Sequence, residues 1–190
     1  TALEEGAADT RTSMSPNEDE TSYAVFWNET DCISVNGIAS ESISIQEDRR
    51  SAEFTFLKGF ESALYAAYPA SVVSKYESGA LTLLLPNVQT WSESDQFDPA
   101  AAVMLAQAAD GASLRFRHAM AYLRVTLSEA SDPEPIAAVV LSANDGSALC
   151  GAFQATYGSD LWTLTPQESA ASQVELRCGT QGAPLGSRMV

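Results

Sequence analysis

Leu81–Leu127 reads LTLLLPNVQTWSESDQFDPAAAVMLAQAADGASLRFRHAMAYLRVTL. Leu81–Leu85 is a continuous apolar strand, stopped by Pro86. A polar crossover follows. Val103–Ala106 is a second, short strand, and Asp110-Gly111 is a turn signal. Leu114–Leu127 is the longest strand candidate, and its phase changes partway. Leu114 and Phe116 share one parity, whereas Leu123, Val125 and Leu127 share the other. Strict alternation would turn one set to solvent. A bulge or kink between His118 and Tyr122 is therefore predicted, re-aiming one long strand. The stretch holds no evident catalytic group, which points to a scaffold or adhesive module.

The same pattern continues on both sides. Tyr23–Trp27 is aromatic and β-branched, and Ile33–Val35 follows a polar turn. Ser42–Ile45 and Ala52–Phe56 alternate with period two. Ala63–Tyr68 is an apolar run halted at Pro69. Beyond the long strand, Ile136–Leu141 and Ala148–Phe153 flank the turn Asn144-Asp145-Gly146. Leu161–Leu164 and Val174–Arg177 are weaker strands. Helical periodicity is nearly absent. Phe60–Leu64 and Asp98–Val103 are the two helix candidates, the second with Asp98-Pro99 as cap and first turn. Many short strands at close spacing predict an all-β sandwich or barrel, of about seven to nine strands.

The chain carries 25 acidic and 10 basic residues in 190, a net charge of −15. Such a surface repels phosphate backbones and anionic membranes, which argues against nucleic-acid binding. No stretch reaches the roughly 18 apolar residues of a membrane helix. The polar opening TALEEGAADTRT reads as a mature or trimmed start and a flexible acidic lead over residues 1–10.

Candidate chemistry is sparse. His118, the single histidine, reads as a packing residue with its ring bonded to a backbone group. Cys32, Cys150 and Cys178 include no CxxC pair and no zinc set. Cys150 and Cys178 form a disulfide if their strands are neighbours; otherwise all three remain thiols. The carboxylates at Glu93, Asp95 and Asp98 lack the spacing of a calcium loop and read as a solvated loop. No catalytic residue, metal or cofactor is expected. Among the aromatics, Tyr65 and Tyr68 bracket small alanines and suit a packed strand end. Trp91, in a polar loop, is the best candidate for an exposed sugar-stacking platform.

An ordered set of blocks resembles the fimbrillin family of Bacteroidetes. Thr10-Arg-Thr12, Phe26-Trp27 and Thr30-Asp-Cys-Ile-Ser-Val35 resemble its opening, with Thr30 where the family usually has glycine. Ala52-Glu-Phe-Thr-Phe56, Tyr65–Ser71, Leu83–Thr90 and Phe97-Asp-Pro99 resemble the next blocks. Met104-Leu-Ala106, Leu114–His118, Leu123–Leu127, Val140–Ala143 and Leu149-Cys-Gly151 resemble the rest. The resemblance implies a transthyretin-like sandwich with Greek-key character over residues 11–155. Residues 156–190 are then the end of that domain or the start of a second β domain. It further implies a non-catalytic pilus subunit or surface lipoprotein, exported to the outer-membrane surface. Its partners would be other pilus subunits, joined by strand exchange, and a surface receptor. By that analogy Arg11 is a processing site, and Arg11, Thr12, Ser13 and Met14 form a removable donor strand. The rival reading is a cell-surface carbohydrate-binding module acting through Trp91; a glycosidase accessory domain is a third.

Overall fold

A computed structural model describes residues 13–16, 23–60, 63–91, 97–109, 113–126, 134–184 and 188–189. The fold is all-β, built from several mainly antiparallel sheets. In chain order, β1 (Ser13–Pro16) and β2 (Tyr23–Phe26) pair with each other. The next hairpins are β3 (Ser34–Val35) with β4 (Ile38–Ala39) and β5 (Ser42–Ile45) with β6 (Ala52–Thr55). Then come β7 (Leu64–Tyr68), β8 (Val73–Glu77), β9 (Ala80–Leu85) and β10 (Val88–Thr90). The middle of the chain gives β11 (Met104–Ala108), β12 (Arg117–His118) and β13 (Val125–Thr126). The rest comprises β14 (Ala138–Ser142), β15 (Gly151–Gly158), β16 (Leu161–Pro166), β17 (Gln173–Arg177) and β18 (Arg188–Met189). These eighteen segments exceed the seven to nine expected. Many of the extra ones span two or three residues, too few to leave a periodic signal.

The centre is a five-stranded sheet ordered β12-β11-β7-β3-β4. Both of its faces are covered. Leu64, Ala66 and Tyr68 of β7, with Met104 and Ala106 of β11, point to one core, where Trp27, Ile33 and Val35 also pack. The β5–β6 hairpin lies over that face through Ile43, Ile45 and Phe54. The alternate residues Ala67 and Leu105, with Val103, point to the other core. There they meet Leu81, Leu83 and Leu85 of β9 and Phe153 and Ala155 of β15. Those strands belong to a four-stranded sheet ordered β16-β15-β9-β8. Strands buried on both faces read as continuous apolar runs, and LYAAY and MLA follow from that.

Three hairpins close on two-residue turns with both central residues at positive φ: Asn36-Gly37, Ser78-Gly79 and Ser159-Asp160. That geometry matches the right-handed twist of the strands. The buried Tyr68 hydroxyl donates to Asp31 Oδ1 at 2.9 Å, and Asp31 Oδ2 accepts the Asn28 backbone N–H at 2.8 Å. This fastens the turn after Trp27 to the central sheet.

The Leu114–Leu127 reading needs correction. The phase change is a full break in the strand. β12 pairs with β11, Met104 facing His118, whereas β13 pairs with β18. Residues 119–124 between them belong to no strand. A change of parity can be met by a bulge only if both halves stay in one sheet, and these two join different sheets. The turn expected at Asp110-Gly111 lies outside the described residues. Asp98 does cap a short turn: its Oδ1 accepts the Ala100 N–H at 2.9 Å, and Pro99–Ala101 forms one 3-10 turn. Phe60 and Ala63 are not helical, and the two residues between them lie outside the described set.

Residues 156–190 contribute β16, which pairs with β15, and β17, which lies between β10 and β14. Gly151 opens β15 with a φ of +89°, and a Cβ there would come within 2.3 Å of the Ser169 carbonyl oxygen. Backbone cannot yield as a flexible side chain can, and positive φ strains any L residue. Gly151→Ala is expected to destabilise the fold by about 2 kcal/mol or more. Urea unfolding measures this; a midpoint within error of the unaltered chain would refute the packing.

Candidate interaction groove

A third sheet, ordered β10-β17-β14, stands beside the two main ones. Its β10–β17 pairing is parallel, with Gln89 opposite Leu176. Asp98 positions the adjoining turn, its Oδ2 accepting the Thr90 N–H at 2.7 Å. Between this sheet and the broken strand at 119–125 runs a groove of about 580 Å³. Met120 and Leu123 form one wall, Leu141 and Leu176 the other, with Phe97 and Phe153 deeper in. Of the described lining side chains, Gln89 and Tyr122 alone carry a nitrogen or oxygen.

The groove is open and apolar. Leu123 is 56% exposed and Leu141 42%. Scattered exposed leucines are ordinary, but a contiguous set along one groove marks an interaction surface. One wall is also a sheet edge. Strand β14 pairs with β17 on one side, and among the described residues its other edge pairs with nothing. Its sequence AVVLS carries no charge and no proline, the usual devices that blunt an edge. Val139 and Leu141 line the groove, and Val140 points the other way.

His118 and Tyr122 pin the wall formed by the broken strand. The Tyr122 hydroxyl lies 3.1 Å from His118 Nδ1, with the rings edge to face at 5.4 Å. The expected backbone partner of His118 is thus replaced by a side chain four residues on. Burial holds His118 below its ordinary value of 6.5 and pushes the Tyr122 hydroxyl up to about 12. The imidazole is then neutral at pH 7 and shares a hydrogen bond with the Tyr122 hydroxyl through Nδ1.

The remaining expected sites fall elsewhere. Arg11 and Thr12 lie outside the described residues. Ser13 and Met14 open β1, whose partner is β2, with Met14 opposite Val25. Trp91 is half-buried, packed against a small cluster with Cys178, Ile136 and Leu176. Its backbone N–H donates to the Arg177 carbonyl at 2.8 Å. Cys150 and Cys178 are buried and unbridged, and Cys32 is part-buried and also free. Burial raises the Cys150 and Cys178 thiols; Cys150 Sγ donates to the Gln173 carbonyl at 3.0 Å. Among the described residues no group of three His, Cys, Asp or Glu side chains could hold a metal ion. Glu93 and Asp95 fall outside that set.

Comparison of this chain with protein-family models, curated proteins and solved structures returns no match.

Sequence reasoning did not foresee the groove, because its walls come from four separate parts of the chain. The usable signal was the out-of-phase Leu123 and Val125, which signalled a second surface as well as a kink. The His118 shift gives a directional pH effect. An unfolded His118 binds its proton at a higher pH than the folded one, so stability falls as the pH drops below 6.5. His118→Gln is expected to flatten the stability slope between that pH and about 5.5. Urea midpoints at each pH test this; an unchanged slope would count against it.

Proposed function

We propose that this chain is a non-catalytic cell-surface β subunit that assembles with its neighbours by strand addition, in keeping with its resemblance to fimbrillins. The observation that carries the reading is the apolar groove with an uncharged strand edge along one wall, unpaired among the described residues. An incoming extended segment would hydrogen-bond to β14 and set alternate side chains into the groove. Backbone pairing supplies affinity, and the spacing of the apolar residues supplies register. Residues Arg11–Met14 are the candidate donor, with Arg11 as the processing site. The partners are then further copies or related subunits at the outer-membrane surface.

A surface with net charge −15 resists casual aggregation, so a neutral, apolar edge offers a preferred place for contact. The carbohydrate-binding alternative depends on Trp91 as an exposed platform. Its ring is half-buried against Cys178 and Leu176, a position that suits packing better than stacking.

Leu141→Lys places a charge in the groove wall without altering the buried cores. It is expected to abolish higher oligomers or to lower their association constant at least tenfold, while the unfolding midpoint stays near that of the unaltered chain. Deletion through Met14 should change the oligomer distribution in the same assay. Sedimentation or negative-stain microscopy reads both. Glycan binding lost on Trp91→Ala, with assembly unaffected by Leu141→Lys, would overturn the reading in favour of a carbohydrate module.

A further inference from the structure

A second cleft, of about 920 Å³, opens between the β5–β6 hairpin and the covered face of the central sheet. Its interior is aromatic. Trp27 meets Phe54 and Phe116 edge to face at centroid distances of 5.2 and 5.6 Å. His118 lines it as a neutral ring. Among its described lining residues the charged ones are Arg50 and Arg115, against one acidic residue, Glu53, and all three are exposed. That is unusual in a chain with 25 acidic and 10 basic residues.

Among the described residues neither arginine pairs with a carboxylate. The ion pairs among the described residues are Lys75–Glu77 and Arg177–Glu175. The Arg50 guanidinium sits 5.8 Å from the centre of the Phe26 ring, and its forked donors remain open. Because burial keeps His118 neutral at pH 7, the positive charge at the cleft is that of the two arginines.

From the aromatic interior and the two uncommitted arginines, we infer that this cleft binds a small amphipathic carboxylate, a fatty-acid-like molecule with an apolar body and one anionic head. The volume lies within the usual range for small-molecule sites, which pair apolar walls with few polar groups. The apolar body lies against Trp27, Phe54 and Phe116. Arg115 and Arg50 take the carboxylate, since guanidinium matches carboxylate geometry with paired donors. This site is independent of strand addition at β14.

Trp27 is a built-in reporter. In a Trp91→Phe, Trp162→Phe background it is the sole tryptophan. Titration with dodecanoate below its micelle concentration is expected to change Trp27 fluorescence saturably, and dodecanol should bind at least tenfold more weakly. Joint Arg50→Ala and Arg115→Ala substitution should weaken dodecanoate about tenfold or more and leave dodecanol unchanged. Calorimetry on the unaltered chain gives the same comparison without the tryptophan substitutions. Equal affinity for acid and alcohol, no saturable signal by either method, or binding lost on Leu141→Lys but retained without the two arginines, would each overturn the inference. Assembly measured on the arginine variants stays normal if the two sites are separate.

Discussion

Strands β7 and β11 are covered on both faces, and the rest of the molecule is arranged around that fact. Their paired register sets Ala66 against Ala106 and Ala67 against Leu105. Alternate residues feed two different cores, so neither strand has a solvent side. Small side chains at Ala66, Ala67 and Ala106 let the covering layers approach closely. Large ones at Tyr68, Leu64 and Leu105 fill the space that remains. Interiors packed this densely tolerate little change in volume. Trp27 and the β5–β6 hairpin must close one face, and the four-stranded sheet must close the other.

The Asp31–Tyr68 hydrogen bond belongs to the same constraint. A carboxylate this buried is costly unless its oxygens are satisfied. Tyr68 and the Asn28 amide do so, one on each oxygen. The pair fixes where the chain enters the central sheet, and so where Trp27 points. Trp27 in turn forms a wall of the second cleft. Packing of the core and shape of the cleft are thus one set of contacts.

Cover is less complete away from the central pair. Strand β14 ends a sheet, and the break after β12 leaves residues 119–124 outside any strand. The apolar groove lies between those two features. Its rim side chains are ordinary core types, Leu, Val and Met, left part-exposed because no described strand fills the gap. The second cleft differs in kind. It is lined by aromatics and arginines, and the contrast between a neutral groove and a cationic cleft assigns them different occupants.

Much of the fold was legible in the chain. Ser42–Ile45 matches β5 residue for residue, and the Leu81–Leu85 run ends at Pro86 as read. Period-two alternation and proline stops are local signals that need no knowledge of partners. Asp98 likewise announced its cap through the Asp-Pro pair. Strand β3 falls within the Ile33–Val35 reading, and β12 and β13 within Leu114–Leu127, whereas the two-residue strands β4 and β18 left no pattern to read. The parity change in Leu114–Leu127 was visible, but a kink and a change of sheet leave the same mark on a sequence. The choice depends on which strands offer free edges, a property of the assembled sheets. The groove and the cleft follow the same logic. Their residues are scattered along the chain, and side-chain type states only that each residue is apolar or charged. Sequence by itself determined an all-β chain with an acidic surface. Tertiary structure alone decided which apolar residues were covered and which remained open, because burial arises only from contacts between distant segments.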